Sequence, residues 1–141
     1  MSTGRQKSFK ASVRANNQAY AQYKQEKDSH MNYVPIVPII VCLCGSTRFS
    51  ETFHEANLRE TLAGKIVLSI GCDFKSDSDL EIAGQLTEED KKRLDELHLR
   101  KIDLADEVLI LNVGGYIGVS TAREAAYAKL HGKRIRWLED V

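Results

Sequence analysis

A glycine turn after the most apolar stretch of the sequence carries side chains that could bind an anion. Residues 44–48 read Cys-Gly-Ser-Thr-Arg and precede a predicted helix. Unpaired N–H groups at a helix N-terminus, together with the helix dipole, favour a phosphate or a carboxylate at such a turn. The alternative is a plain connection between a strand and a helix, with Ser46 or Ser50 as the helix cap and Arg48 in solvent.

A second glycine-rich stretch leads into another predicted helix. Residues 114–124 read Gly-Gly-Tyr-Ile-Gly-Val-Ser-Thr-Ala-Arg-Glu, and glycines allow a ligand to approach the backbone closely. Glu124 would lie in the first turn of this helix, where its carboxylate could project toward a ligand. The same spacing also fits a capping box, in which Glu124 accepts a hydrogen bond from the N–H of Thr121. The sequence leaves both interpretations open.

A predicted helix over 87–105 carries a histidine and a lysine on its apolar stripe. The stripe consists of Leu94, Leu97, His98, Lys101 and Ala105, at spacings of three and four residues. His98 could act as an acid, a base or a ligand donor. The ordinary explanation is a histidine at the helix margin and a lysine whose aliphatic stem covers apolar surface.

The cysteines Cys42, Cys44 and Cys72 show no zinc-type spacing, so we expect reduced thiols and no metal site. Cys42 and Arg48 have the Cys-x5-Arg spacing with which phosphatases hold phosphate against a thiolate. However, Cys42 lies two residues before the end of the predicted strand, and the chain has no Asp-Pro pair to supply a general acid. We interpret this match as accidental.

Hydrophobic patterning predicts four strands and three helices in the main part of the chain. A nearly continuous apolar run at 36–44 is typical of a strand that is covered on both faces. Thr87, followed by three acidic residues, predicts a helix start. The predicted strands are 36–44, 65–70, 107–112 and 133–138, and the predicted helices are 50–62, 87–105 and 121–131.

Strands that alternate with helices predict an α/β, Rossmann-like fold, with a parallel sheet of four or five strands and helices on both faces. Ligands of such sheets bind beyond the carboxyl ends of the strands. Three segments, 45–49, 71–85 and 113–121, should therefore surround one cleft. The long polar segment 71–85 is expected to be a functional loop, although its aspartates Asp73, Asp77 and Asp79 are individually weak signals.

Composition indicates a globular domain. The 141 residues are 43% hydrophobic and 28% charged, with no formal net charge, which argues against a nucleic-acid polymer as partner. The longest apolar run is about half of a membrane span, and no secretory signal is recognised, so the cytoplasm is the expected location. Residues 1–33 are predicted to be a basic polar tail or a docked helix, and residues 34–141 the α/β domain.

From about Val37 to Glu139 the sequence resembles the nucleoside 2-deoxyribosyltransferase superfamily, which includes deoxynucleoside-monophosphate N-glycosidases. Three motifs carry the resemblance: residues 44–48, Ala-Asp at 105–106, and Ser-Thr-Ala-Arg-Glu-Ala-Ala-Tyr-Ala at 120–128. The third is similar to the Gly-Thr-Ala-x-Glu-x-x-x-Ala signature of the family. The order and separation of the motifs also match.

The resemblance implies that Glu124 attacks the anomeric carbon of a deoxyribosyl group and expels the base. His98 stands where the family usually has an aspartate that handles the base, so it could donate a proton with an altered base preference, or transferase chemistry could be lost. The predicted substrate-binding residues are Gly45, Ser46, Thr47, Arg48, Lys101, Tyr116, Gly118, Ser120 and Thr121.

We therefore expect hydrolysis of an N-glycosidic bond, or deoxyribosyl transfer, on a nucleoside or nucleoside monophosphate, without a cofactor or a metal. A non-catalytic nucleotide-binding module of the same fold, which senses or sequesters its ligand, is the alternative. The expected partner is a small molecule, not a nucleic acid or a membrane. Analogy with relatives of this fold also suggests a homo-oligomer.

Overall fold

The computed structural model describes residues 4–28, 36–70, 84 and 86–141. The chain divides into two units, residues 1–37 and 38–141, and each is described by itself. In the first unit, helix α1 spans Gly4–Asp28 and has no buried residue. Its sequence is polar, and its few large apolar side chains are exposed: Phe9, Val13, Tyr20 and Tyr23. None of the described helices has the length and the apolar character that a membrane span requires.

The described part of the second unit contains four strands and three α-helices. The strands are β1 (Ile40–Cys44), β2 (Ile66–Leu68), β3 (Glu107–Ile110) and β4 (Arg134–Trp137). The helices are α2 (Ser50–Leu62), α3 (Glu88–Leu104) and α4 (Val119–Leu130), and a 3-10 turn at Val113–Gly115 lies between β3 and α4. The predicted order of strands and helices is thus observed.

All four strands pair in parallel, in the order β2-β1-β3-β4. The chain runs outward from β1 to β2 and then returns to the other side of β1 to form β3. The direction of winding therefore reverses between β1 and β3, and such a reversal is where open α/β sheets bind ligands. The predicted α/β class with a Rossmann-like parallel sheet is confirmed, with four strands among the described residues.

The sheet is covered on both faces, because successive side chains of a strand point to opposite sides. On one face, strand residues pack against α2; the buried set is Val41, Leu43, Phe53, Ala56, Leu109 and Leu111. On the other face, strand residues pack with α3 and α4; the buried set is Cys42, Cys44, Leu99, Ile102, Ala105, Val108, Ile110 and Ala128. Cys42 and Cys44 therefore share the face that α3 and α4 cover.

Helix α3 begins where its sequence predicts. Oγ1 of Thr87 accepts a hydrogen bond from the N–H of Asp90 at 3.1 Å, and the Asp90 carboxylate accepts one from the N–H of Thr87 at 3.0 Å. These two bonds form a capping box. The hydrogen bonds from Thr87 also lower the pKa of Asp90.

Most element boundaries differ from the prediction by one or two residues, and the start of β1 differs by four. β1 begins at Ile40, not at Ile36, whose side chain is 90% exposed. Helix α4 begins at Val119, not at Thr121, because the extended Gly118 is its N-cap. Apolar patterning locates an element, but it does not determine the residue at which backbone hydrogen bonding starts.

A buried charge cluster joins α2 to the outer strands of the sheet. Glu60 and Glu107 are almost fully buried, and both contact Lys65 and Arg136. Nζ of Lys65 lies 3.3 Å from Oε2 of Glu60 and 2.8 Å from Oε1 of Glu107. Burial alone would raise the pKa of Glu60, but the hydrogen bonds and charges of Arg136 and Lys65 outweigh it and lower this pKa below its ordinary value.

Glu60→Gln should lower the free energy of unfolding near neutral pH by about 1–3 kcal/mol, because it removes hydrogen bonds between charged groups. The lowered pKa means that this stabilisation is present above the ordinary value of 4.5 and is lost as the pH falls through the lower value of the folded state. Urea denaturation at a series of pH values should show the wild type and the variant converging in acid. A difference that stays constant from neutral to acid pH would contradict this account.

Candidate functional site

A cavity of about 740 Å³ lies at the carboxyl ends of β1 and β3, within the size range of small-molecule sites. All eleven residues that the sequence predicted for the site line this cavity: Gly45, Ser46, Thr47, Arg48, His98, Lys101, Tyr116, Gly118, Ser120, Thr121 and Glu124. Apolar residues that were not among the predicted site residues add to the wall: Ile70, Leu86, Leu94, Leu97 and Val119. The structure thus brings the two glycine turns and two helices around one space.

The turn after β1 is packed too closely for a side chain. A Cβ at Gly45 would lie 3.0 Å from Cβ of Leu111 and 3.4 Å from the Leu111 carbonyl oxygen and from Cζ of Phe53. The N–H of Leu111 donates to the carbonyl of Cys44 at 2.8 Å. The chain that leaves β1 and the chain that leaves β3 are therefore held side by side at the entrance to the cavity.

No serine of this turn caps α2, contrary to the alternative that the sequence allowed. The N-cap of α2 is Phe49, without a side-chain cap hydrogen bond, so neither Ser46 nor Ser50 fills that role. Arg48 reaches the loop after β3, where its guanidinium donates to Oη of Tyr116 at 3.1 Å and lies 4.4 Å from the ring centre. This cation–π contact places a permanent positive charge at the cavity rim.

Glu124 lies on the second turn of α4, and its side chain lines the cavity. Gly118 is the N-cap of α4 and makes no side-chain cap hydrogen bond. Thr121 is therefore the third residue of the helix, so the capping box between Thr121 and Glu124 is not formed. The Glu124 side chain is only 14% exposed. The sequence left open whether Glu124 faces a ligand or caps its own helix, and in the structure its carboxylate lies in the cavity.

His98 is buried beside this carboxylate, with Nε2 3.9 Å from Oε2 of Glu124. The buried residues of α3 are His98, Leu99 and Ile102, whereas Leu97 is 53% exposed. Leu94, Leu97, His98 and Lys101 of the predicted stripe all line the cavity, so they share one side of the helix although Leu97 is not buried. Helix α3 turns Leu99 and Ile102 toward the sheet and leaves Leu97 in the wall of the cavity.

Burial perturbs the protonation of both groups. Loss of solvent raises the pKa of Glu124 to about 7, against the opposing effect of the His98 charge. Burial alone would lower the pKa of His98, but the hydrogen bond and charge of Cys42, with the charge of Glu124, raise it above its ordinary value. Perturbed pairs of this kind are common at functional sites.

Two cysteines that the sequence analysis set aside complete the buried side of the site. Sγ of Cys42 and Sγ of Cys44 lie 3.7 and 3.5 Å from Nε2 of His98. A hydrogen bond with Cys44 lowers the pKa of Cys42 to about 6, and the same bond, with burial, raises the pKa of Cys44 well above its ordinary value. The sequence held one signal for this pair: Cys42 and Cys44 are two residues apart on a strand, and such residues lie on the same face of the sheet.

Lys101 connects α3 to the chain after β2. Its Nζ donates to the backbone carbonyl of Ser69 at 2.6 Å, and the side chain also lines the cavity.

Within the predicted loop 71–85, only Gly84 belongs to the described residues. The aspartates Asp73, Asp77 and Asp79 therefore lie outside the described part of the chain.

Comparison with protein-family models gives no match, and comparison with curated proteins gives none either. The resemblance to nucleoside 2-deoxyribosyltransferases thus stays a prediction from the motifs.

Gly45→Ala should lower the free energy of unfolding by about 1–3 kcal/mol, because the new methyl group meets Leu111 and Phe53 in a packed region. Gly118→Ser is the matched control at the other glycine turn. Gly118 has extended backbone angles at a helix N-cap, where serine is favoured. The free energy of unfolding of Gly118→Ser should therefore differ from that of the wild type by less than about 0.5 kcal/mol. Equal losses in both variants, measured by urea denaturation, would contradict the packing argument.

Proposed function

We propose that this protein cleaves or transfers the N-glycosidic bond of a nucleoside or nucleoside monophosphate, with Glu124 as the nucleophile. The observation that carries the proposal is the position of this carboxylate. It is largely buried in the wall of a 740 Å³ cavity, near both glycine turns, and it is not bound back to the start of its own helix. A carboxylate held in this way needs little reorientation to reach a sugar bound in the cavity.

The proposed reaction is a displacement at the anomeric carbon. A carboxylate oxygen of Glu124 attacks C1′, the C1′–N bond breaks, and its electron pair leaves with the base, which takes a proton from His98 or from water. Water, or a ring nitrogen of a second base, then attacks C1′ of the glycosyl ester. The C1′–O bond to Glu124 breaks, its electron pair returns to the carboxylate, and the proton of the attacking group passes to water, which leaves the free sugar or a new nucleoside. A deoxyribosyl group suits this chemistry, because no 2′-hydroxyl withdraws electrons from the cationic transition state.

The walls of the cavity suit the two ends of such a substrate. Arg48, Ser46 and Ser120 offer a guanidinium and two hydroxyls at the glycine turns, close to the N-termini of α2 and α4, and helix N-termini favour a phosphate. Leu86, Leu94 and Leu97 provide an apolar surface for a base. The proposed partner is a small molecule in the cytoplasm, and the homo-oligomer stays a proposal by analogy.

Glu124→Gln should abolish base release, because the amide keeps the shape of the side chain and removes the nucleophile. Wild type and variant would be incubated with a panel of deoxynucleosides and their monophosphates, and free base would be measured by chromatography. We expect the variant to lose activity by a factor on the order of 10³ or more. Glu51→Gln, at an exposed position in the first turn of α2, is the matched control and should keep full activity.

The covalent step can be tested separately on the wild type. Acid quenching during turnover should trap the sugar on the peptide that contains Glu124, detected by mass spectrometry. Base release by the wild type and by Glu124→Gln at the same low level across the whole panel would refute the catalytic proposal.

A second candidate function is supported by the contact between Arg48 and Tyr116. This contact and the two helix N-termini could hold a nucleotide without cutting it, as a sensing or sequestering module would. The two candidate functions differ in the role of Glu124: the enzyme needs this carboxylate to release the base, whereas the binding module does not need it.

Under this second function, a deoxynucleoside monophosphate should raise the Tm of the wild type and of Glu124→Gln alike. A ligand at a hundredfold excess over its Kd adds about 2.7 kcal/mol to the stability of the folded state. Arg48→Ala should lose this stabilisation, whereas Arg59→Ala, an exposed arginine on α2, should keep it. Stabilisation that survives Arg48→Ala would exclude the glycine turn as the phosphate site.

A further inference from the structure

Among the residues that the structure describes, three side chains with metal-binding atoms converge beneath the cavity. Sγ of Cys42, Sγ of Cys44 and Nε2 of His98 all lie within 4.8 Å of one another, and all three residues are buried. The two cysteines alternate on β1, and the histidine projects from α3 onto the same face of the sheet. Thiolate and imidazole together are the ligands that Zn²⁺ prefers.

The two sulfur–nitrogen separations match the edges of a tetrahedral site. Bonds of about 2.3 Å to sulfur and about 2.05 Å to nitrogen, at the tetrahedral angle, give a sulfur–nitrogen edge of about 3.6 Å. The observed sulfur–nitrogen distances are 3.7 Å for Cys42 and 3.5 Å for Cys44. These two edges need almost no movement to bind one ion, and the sulfur–sulfur separation, which lies within 4.8 Å, has to reach about 3.8 Å.

Without a metal, Nε2 of His98 contacts two thiols and one distant carboxylate. Oε2 of Glu124 lies 3.9 Å from Nε2, beyond hydrogen-bond distance, and thiols are poor hydrogen-bond partners. Two thiolates and one neutral imidazole would cancel the charge of a divalent ion. A neutral cluster of this kind costs much less to bury than separate ions, which suits the apolar surroundings of Leu99, Ile102 and Val108.

We propose that Cys42, Cys44 and His98 bind one Zn²⁺ ion, with the fourth coordination position directed toward Glu124 and the cavity. Three protein ligands and one open position are the arrangement of catalytic zinc sites, in contrast to the four protein ligands of structural sites. Binding releases the thiol protons, because the thiolate is the ligand form. A water molecule at the open position would lie beside the Glu124 carboxylate.

The observations that support this metal site are separate from those that support the proposed glycosidic chemistry, although the ion would change the role of His98 in that reaction. With the ion bound, Nε2 of His98 is a ligand and is unavailable for proton transfer, so the base would take its proton from water. Metal content and base release are separate measurements, and either proposal can fail while the other stands.

The first test measures metal in the full-length protein. The protein would be produced with zinc in the medium, purified without chelators or a metal-affinity tag, and analysed by inductively coupled plasma mass spectrometry. We expect close to one zinc per wild-type chain, and at least a tenfold loss in Cys44→Ser and in His98→Ala. Glu124→Gln should keep its zinc while losing base release. Cys72→Ser and His54→Ala are the matched controls and should also keep it.

The second test covers variants that fold poorly and uses the wild type alone. Protein stripped with a chelator would be titrated with Co²⁺, which reports its ligands by absorption. Saturation at one equivalent, with a thiolate-to-cobalt charge-transfer band and the intense visible bands of tetrahedral cobalt, would support the site. Addition of Zn²⁺ should displace the cobalt and remove both bands.

Zinc-free wild type together with a cobalt titration that shows no charge-transfer band would overturn the proposal. So would zinc that is retained in both Cys44→Ser and His98→Ala, because the ion would then be bound elsewhere. Loss of zinc from Cys72→Ser would contradict the assigned ligand set.

Discussion

Parallel pairing of β1 with β3 is the constraint on which the rest of the site depends. The two strands run in the same direction in register from Val41 opposite Glu107, so the chain leaves both at one edge of the sheet. The hydrogen bond from Leu111 to Cys44 continues this pairing beyond the strands, and Gly45 permits the close approach. Helices α2 and α4 both start near this edge. Their N-termini and the two glycine turns therefore border a single cavity.

Burial then determines the character of the inner wall. His98 and Glu124 are largely removed from water, and buried polar groups must find partners or cost folding free energy. The partners of Nε2 of His98 are two sulfur atoms and a carboxylate oxygen 3.9 Å away. These contacts compensate the burial of the imidazole less well than short hydrogen bonds to oxygen would. Polar groups that are buried without good hydrogen-bond partners, such as His98, are expected mainly at functional sites.

Much of the fold and of the cavity lining could be predicted from short-range signals. The bounds of α2 and the N-cap of α3 agree with the prediction, because caps and hydrophobic periodicity act over a few residues. The start of β1 could not be predicted, since it depends on where a distant partner strand begins. The orientation of Glu124 was equally undetermined, because Thr121 and Glu124 have capping-box spacing whether or not the helix begins there.

The sequence by itself determined the α/β class and the order of the elements, because these follow from local patterning. Together with the motifs it also indicated eleven of the residues that line the cavity, because the carboxyl ends of parallel strands meet at one edge of a sheet. Only the tertiary structure decided that Cys42 and Cys44 meet His98. Cys44 and His98 are 54 residues apart, and their contact depends on how α3 packs on the sheet. The raised pKa of Glu124 likewise arises from desolvation, which is a property of the packed environment and not of neighbouring residues in the chain.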